Sequence, residues 1–238
     1  MSATVIMPTI GCIETKKALE SVLNQTYKSK TYLVIDGAEY VDKVEEIIYH
    51  TPINPGSGLS VCTLPDNVGA NGFYGHRTYA AFTHLINTDY VLYLDPDCWI
   101  EPNHIESLVS HIEQNNLDWA YSLRNICDKE GNFICRDDCE SLGKWSPFTQ
   151  YNLVDTNCYC IKTSIATKVS SLWHGGWGTD RVFFNTLAQH FSNFSCTGEY
   201  TVNYRLGGND GSVKKDFFLY GNKEVEKKYN GEFPWRKI

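Results

Sequence analysis

The sequence predicts an α/β domain with a mostly parallel central sheet, helices on both faces, and a smaller mixed region in its second half. Three apolar, β-prone runs at residues 4–7, 32–35 and 90–94 alternate with segments whose apolar residues recur at helical spacing. Runs without polar positions are typical of parallel strands buried on both faces, and strand–helix alternation indicates βαβ units. The 238 residues show no internal repeat and no linker, so we expect one domain.

The first half of the chain is predicted to contain four strands joined by helices. The strands are predicted at residues 4–7, 32–35, 59–64 and 90–94. Residues 14–26 have the apolar face of an amphipathic helix, and so do the residues around Val44. The Pro- and Gly-rich residues 51–58 predict a loop. A third helix is predicted to bury one side, made of Tyr74, Thr78, Ala81, Phe82 and Leu85.

The second half begins with a helix whose first turn contains Pro102. Its apolar stripe consists of Ile105, Leu108, Val109 and Ile112. A strand is predicted at residues 119–123, and residues 128–132 have the composition of a hairpin turn. No secondary structure is predicted from Lys214 onward, because charged and aromatic residues mix there without a period.

Two carboxylates separated by one proline, Asp95 and Asp97, follow the fourth strand. Pro96 cannot donate to a strand ladder, so the chain leaves the sheet there. No Lys or Arg adjoins the two acids, and oxygen ligands suit Mg²⁺ or Mn²⁺. We therefore expect a divalent cation. The alternative is a turn with two solvated acids, since Asp and Pro are common turn residues.

Polar residues also end the other strands of the first half. Thr9 follows the first strand, Asp36 the second and Asp95 the fourth. The carboxyl ends of parallel strands meet at one edge of a sheet, where ligands bind. We expect these three residues to converge.

Composition excludes some functions and indicates a compartment. A net charge of -7 and a pI near 5.5 argue against a nucleic-acid partner, which requires a basic stripe. Nine cysteines without a CxxC pair, and no signal peptide at the start, predict reduced thiols in a soluble cytoplasmic protein. No apolar run approaches the ~20 residues of a membrane span, so we expect no transmembrane segment.

Seven short motifs follow one another along most of the chain. They are VIMPT at residues 5–9, SVLNQT at 21–26, VIDG at 34–37, NVG at 67–69 with Arg77, LDPDCWIEP at 94–102, VDTNCYCI at 154–161 and GGWGTD at 175–180. In this order they resemble the nucleotide-sugar glycosyltransferases of the GT-A fold, closest to family 2. The resemblance covers residues 4–205.

The resemblance implies an inverting, metal-dependent enzyme. It would transfer a hexosyl group from a nucleotide-diphospho-sugar, a UDP-sugar above all, to a hydroxyl of a glycan or glycoconjugate, with Mn²⁺ or Mg²⁺ as cofactor. The single domain, residues 1–238, would have a nucleotide-binding half up to about residue 100. A donor-sugar and acceptor half would occupy about residues 101–213, followed by a C-terminal tail, residues 214–238.

The resemblance also implies a role for each matching residue. The nucleotide-binding residues would be Pro8, Thr9, Asp36, Asn67, Arg77 and Asp95. Asp97 would ligate the metal, with Asp95 beside it. Asp155, on a strand lining the donor-sugar pocket, would contact the sugar, with Trp177 and Gly178 near sugar or acceptor. Asp180 would be the catalytic base.

One expected residue is missing. Many relatives place a His after the pair that Tyr204 and Arg205 match, as a metal or phosphate ligand, but no His follows here. Either Asn209 or Asp210 takes its place, or substrate and water complete the coordination.

Several assignments have structural or functional alternatives. Asp180 can cap a helix, Asp36 can be a turn residue, and Arg77 can be an exposed helix residue. A sugar-1-phosphate nucleotidyltransferase has a similar sheet and acids, but it needs a basic, glycine-rich phosphate loop, and residues 11–14 offer one glycine and an acid. A carbohydrate-binding module would keep the fold without turnover.

Overall fold

A computed structural model describes residues 1–54, 56–207 and 213–236, in which nine strands form one sheet. The strands are β1 (Ala3–Thr9), β2 (Ser29–Ile35), β3 (Leu59–Thr63), β4 (Tyr90–Tyr93), β5 (Trp99–Ile100), β6 (Trp119–Cys127), β7 (Phe133–Arg136), β8 (Tyr159–Lys162) and β9 (Phe194–Arg205). The α-helices are α1 (Thr15–Leu23), α2 (Val41–Tyr49), α3 (His76–Phe82), α4 (His104–Gln114), α5 (Thr163–Val169), α6 (Thr179–His190) and α7 (Lys215–Lys228).

The sheet has the strand order β3-β2-β1-β4-β8-β6-β9-β5, and β7 pairs with β6 beside that path. The strands β1 to β4 are parallel to their neighbours among them. In the second half, β8 is antiparallel to β4 and β6, β9 is parallel to β6, and β5 is antiparallel to β9. The predicted α/β fold is confirmed, with a parallel first half and a mixed second half.

The connections place helices on both faces of the parallel strands. From β1 to β3 the chain moves outward in one direction, and it then returns past β1 to form β4. Crossover connections between parallel strands are right-handed. Therefore α1 and α2 cover one face and α3 covers the other.

The central strands and the helix after Pro102 are buried as the sequence predicts. Every residue of β1 and β4 is buried. The predicted apolar stripe of α4 is buried as well, at Ile105, Leu108, Val109 and Ile112. Burial of apolar surface contributes about 25 cal/mol per Å², so this continuous core holds the sheet and its helices together.

The buried face of α3 differs from the prediction. Thr78 and Phe82 are buried as expected, and Tyr79 joins them, whereas Tyr74 and Leu85 are 47% and 56% exposed. Tyr74 precedes the helix with a φ of 53°, and Leu85 lies in a 3₁₀ turn after it. Helical periodicity therefore does not extend to either residue.

The C-terminal segment, where the sequence shows no period, forms α7 and packs on a second apolar cluster. Phe218, Val225 and Trp235 are buried in this cluster. The indole N–H of Trp235 donates to Asp138 at 2.7 Å, and Arg236 pairs with the same carboxylate at 2.5 Å. No helix within the described ranges has the length and hydrophobicity needed to span a bilayer.

We expect Trp235→Ala to lower the free energy of unfolding by about 3–5 kcal/mol, as large-to-small changes at buried aromatic residues do. Trp235 is 2% exposed, whereas Tyr220 on α7 is 58% exposed. The control Tyr220→Ala should therefore change stability by less than about 0.5 kcal/mol. Urea denaturation measures both. Small, equal effects would mean that Trp235 does not stabilise the domain.

Candidate active site

The ends of β1, β2 and β4 lie side by side at one edge of the sheet. Thr9, the last residue of β1, pairs with Ile35 at the end of β2, and its carbonyl accepts the backbone N–H of Asp36 at 2.9 Å. The Thr9 hydroxyl accepts the Gly11 N–H at 3.0 Å. Asp95 follows β4, the other neighbour of β1. The three polar residues thus follow three adjacent strands, as predicted.

The carboxylate of Asp36 holds the segment after β3, which we call the glycine loop (residues 66–75). Its two oxygens accept the backbone N–H groups of Val68 and Gly69, each at 2.8 Å. A Cβ on Gly69 would lie 2.1 Å from the Tyr74 carbonyl oxygen, so only glycine fits there. Asp36 therefore has a structural role. Each of its carboxylate oxygens retains a second lone pair for a ligand.

The remaining predicted nucleotide residues lie in the glycine loop or contact it. Arg77 donates from Nη1 to a loop carbonyl at 3.3 Å, and its guanidinium lies 3.3 Å from the Phe73 ring centroid. Asn67 donates to the Tyr40 hydroxyl at 3.3 Å. The loop packs so closely on Pro8 that a Cβ at its last residue would lie 2.5 Å from Pro8 Cγ.

Asp95 is held by two neutral donors. The Tyr79 hydroxyl donates to Oδ1 at 2.7 Å, and the Asn157 amide donates to Oδ2 at 3.0 Å. Burial raises the pKa of Asp95 to about 7, and the charges of Asp97 and Asp155 add to this effect. Tyr79 lies in none of the sequence motifs, whereas Asn157 lies in the motif at residues 154–161 without an expected role.

Asp97 is the less constrained acid of the pair. Burial raises its pKa, and the Asp155 charge adds to this, whereas a hydrogen bond from the Cys98 thiol at 3.5 Å lowers it. In the described part of the chain, no other side-chain donor reaches its oxygens. The Nε of Arg205 donates to the Asp97 carbonyl at 3.1 Å. The carboxylate thus retains oxygen lone pairs for a ligand.

The donor set fits a divalent cation that shares its shell with substrate. Among the described residues, no three His, Cys, Asp or Glu side chains cluster as a complete metal site. Mg²⁺ commonly binds one or two carboxylates and completes its shell with phosphates and water. The Asp95–Asp97 pair offers those carboxylates. The proposed additional ligands Asn209 and Asp210 lie outside the described residues.

A buried arginine on β6 forms ion pairs with three neighbouring acids. The Arg124 guanidinium lies 2.8 Å from Asp137, 2.6 Å from Glu140 and 2.5 Å from Asp155, and its side chain is 3% exposed. Removing one partner of a buried ion pair is strongly destabilising. The sequence signal for this cluster is a charged residue on a mostly apolar strand, since a buried charge requires partners.

Asp155 does not lie on a strand, contrary to the expectation. It caps a 3₁₀ turn, Thr156–Cys158, which precedes β8. Its Oδ1 accepts the backbone N–H of Asn157 at 3.0 Å and the side-chain amide of Asn157 at 2.8 Å. A short side chain that bonds the backbone two residues on favours a turn over a strand.

Asp180 lies in the first turn of α6, directly after glycine-rich residues. Gly178 has a φ of 85°, Trp177 is 75% exposed, and the Arg181 guanidinium lies 5.0 Å from the Trp177 ring centroid. Burial raises the pKa of Asp180, and the negative charge of Asp155 adds to the shift. Asp180 therefore lies within electrostatic reach of Asp155.

The comparisons with known proteins identify the family. The model of glycosyl transferase family 2 matches residues 4–176, most of the chain. The chain belongs to glycosyltransferase family 2. The family expected from the motifs is confirmed. A search of curated proteins found no match.

Solved structures of TarS from S. aureus share the glycosyltransferase fold. TarS 1–349 matches with 15% identity and a TM-score of 0.63, over 86% of this chain and 60% of that one. Its complex with UDP-GlcNAc gives 14% identity and a TM-score of 0.65, over 96% of this chain and 66% of that chain. Its complex with UDP gives 13% identity and a TM-score of 0.61, over 97% of this chain and 72% of that chain. At this identity the likeness shows the fold alone.

The raised pKa of Asp95 predicts a pH dependence of stability. Its carboxyl binds a proton more tightly in the folded than in the unfolded protein. Its contribution to the free energy of unfolding therefore declines as pH rises towards about 7. Between pH 5 and 8 the free energy of unfolding should fall by roughly 1–2 kcal/mol more in wild type than in Asp95→Asn. Urea denaturation without metal measures this, with the exposed Glu45→Gln as control. Parallel profiles for wild type and Asp95→Asn would contradict it.

Proposed function

We propose that this glycosyltransferase moves a hexosyl group from a UDP-sugar to a hydroxyl of a glycan or glycoconjugate, with inversion at the anomeric carbon and a divalent cation. One observation carries the proposal. Burial raises the pKa of Asp97 after β4 and of Asp180 on α6, and the charge of Asp155 raises both pKa values further. The candidate metal ligand and the candidate base therefore both lie near Asp155.

The glycine loop and Asp36 supply the proposed nucleotide side. The free lone pairs of Asp36 would accept the imide N–H of uracil, while its bonds to the loop keep the carboxylate in place. Other proposed nucleotide contacts come from Pro8, Thr9, Asn67, Arg77 and Asp95. Binding of UDP and UDP-GlcNAc by TarS, which has this fold, supports a uridine nucleotide.

The pair Asp95 and Asp97 would hold Mg²⁺ or Mn²⁺. Asp97 would ligate the ion, and Asp95 is already oriented by Tyr79 and Asn157. When bound, the ion would stabilise the negative charge that grows on the leaving diphosphate. Because both carboxyl groups have raised pKa values, protons compete with the ion, and its affinity should increase with pH.

Asp155 would accept a hydrogen bond from a hydroxyl of the donor sugar. Arg124 fixes its Oδ2 at 2.5 Å, and Asn157 fixes its Oδ1 at 2.8 Å, so the carboxylate is oriented before the donor arrives. Preorganised groups of this kind lose little freedom on binding. Trp177 and Gly178 would contact the sugar or the acceptor from the α6 side.

Asp180 would act as the general base. As the acceptor oxygen bonds to the anomeric carbon, the bond to the diphosphate breaks, and the Asp180 carboxylate takes the hydroxyl proton. The acceptor attacks from the face opposite the leaving group. With one base and no enzyme nucleophile, a single displacement inverts the configuration.

Family membership argues against a nucleotidyltransferase and against a non-catalytic carbohydrate-binding module.

For the compartment, we propose the cytoplasm, because all nine cysteines are free thiols. The division into nucleotide and acceptor halves near residue 100 also remains a proposal.

Asp97→Asn should remove the Mn²⁺-dependent part of UDP affinity, a loss of at least roughly tenfold, because a carboxylate ligand becomes a weaker neutral one. The melting temperature should change little, since Asp97 lies at the edge of the core. Calorimetry with UDP, with and without Mn²⁺, measures the effect, and the exposed Asp42→Asn is the control. If the variant bound UDP as wild type does in Mn²⁺, Asp97 would not be the ligand.

Asp180→Asn should lower the transfer rate by roughly 10²–10⁴-fold, the contribution of general-base catalysis. Donor affinity and melting temperature should stay near wild type, because Asn has the size of Asp and its side-chain oxygen can still accept the Arg181 N–H. Turnover of UDP-sugars against a panel of glycan acceptors measures the rate, with the exposed Asp216→Asn as control. Full transfer activity in folded Asp180→Asn would place the base elsewhere.

A further inference from the structure

The glycine loop contacts the segment that leads into α6, which we call the base segment (residues 173–180). The Phe73 and His174 rings lie 5.9 Å apart between centroids. A Cβ on Gly176 would lie 3.1 Å from the Gly72 carbonyl oxygen, so the two backbones are close to contact. The nucleotide side and the base side of the proposed site therefore touch directly.

His76, the first residue of α3, makes the polar contact between these segments. Its Nδ1 lies 2.9 Å from the Gly175 carbonyl oxygen. A carbonyl only accepts, so Nδ1 carries the proton and donates. The imidazole also stacks on Trp173, with 5.8 Å between ring centroids and 30° between planes, and Trp173 stacks on Phe183 of α6 at 3.9 Å. The ring is thus held from two sides.

The position of Gly175 determines where α6 begins. A Cβ on Gly175 would lie 2.0 Å from Thr179 Oγ1, and the Thr179 N–H donates to the Gly176 carbonyl at 3.2 Å. The chain therefore turns back on itself between Gly175 and Thr179. Asp180 is the next residue, so a displacement of the Gly175 carbonyl would move its carboxylate.

The same helix contacts the other parts of the proposed site. Arg77 donates to the Val68 carbonyl of the glycine loop, and Tyr79 donates to Asp95. Three of the first four residues of α3 therefore make these bonds. Arg77 bonds the glycine loop, Tyr79 bonds Asp95 of the acid pair, and His76 bonds the base segment.

We propose that His76 is a positioning residue for sugar transfer: by holding the Gly175 carbonyl, it fixes Asp180 where the acceptor hydroxyl is deprotonated. This inference rests on the proposed role of Asp180 as the base. His76 does not touch the reacting atoms. Its loss should therefore lower kcat for transfer while leaving the binding of donor nucleotide unchanged.

The test compares His76→Leu, which removes the donor but fills space, with His76→Asn, whose amide can donate from a position near that of Nδ1. His76→Leu should lower kcat by at least roughly tenfold, since small misplacement of a catalytic group is costly. UDP affinity should stay within about twofold. His76→Asn should recover most of the lost kcat.

The matched control is His84→Leu. The His84 ring bonds the Ser170 hydroxyl at 2.8 Å, so this variant also removes one imidazole hydrogen bond, but outside the base segment. Its kcat should remain within about twofold of wild type. Amide exchange of residues 175–180 should accelerate in His76→Leu and not in the control. Unchanged kcat and unchanged exchange in His76→Leu would overturn the proposal, as would failure of His76→Asn to restore kcat.

Combination with Asp180→Asn separates the two claims. If Asp180 is the base and His76 acts through it, His76→Leu should cause no further loss of transfer in the Asp180→Asn background. A full additional loss there would mean that His76 acts independently. Full transfer activity in Asp180→Asn alone would reject the proposed base, whereas loss in Asp180→Asn with a normal His76→Leu would reject only the positioning role.

Discussion

The accumulation of carboxylates at the end of β4 is the constraint on which the rest of the site depends. Burial, together with the charges of Asp97 and Asp155, raises the pKa of Asp95, so the fold must supply donors or positive charge there. Asn157 supplies donors without charge, because its amide bridges Asp95 at 3.0 Å and Asp155 at 2.8 Å. Arg124 supplies the charge from β6. Asp97 remains the least compensated acid, and its residual charge is what a cation would neutralise.

Local patterns predicted the parallel half of the fold because its strands and helices bury continuous or periodic apolar faces. The same patterns failed where burial depends on a close approach instead of a periodic face. On α7 the buried residues are Phe218, Gly221 and Val225. A Cβ on Gly221 would lie 2.8 Å from Cys139 Sγ, so the helix packs through a glycine that no hydrophobic pattern marks. Likewise the buried side of α3 changes where Tyr79 turns inward to reach Asp95.

The candidate site was predictable where residues follow strand ends, since topology brings Thr9, Asp36 and Asp95 to one edge. Partners from distant segments were not predictable. Asn157 comes next to Asp95 because β8 pairs with β4, and Arg124 comes next to Asp155 because β6 pairs with β8. No local signal in the sequence specifies either pairing. The proposed roles for the nucleotide, sugar and acceptor contacts stand on the family resemblance together with this geometry.

The central claim is that these acids carry out a single displacement on a nucleotide-sugar. The most direct measurement is proton NMR of UDP-sugars with an α-linked anomeric phosphate, incubated with the protein and Mn²⁺, in which the first anomer transferred or released to water is observed. Inversion predicts that the β-anomer appears first and that UDP accumulates in equal amount. Initial appearance of the α-anomer would contradict a single displacement assisted by one base.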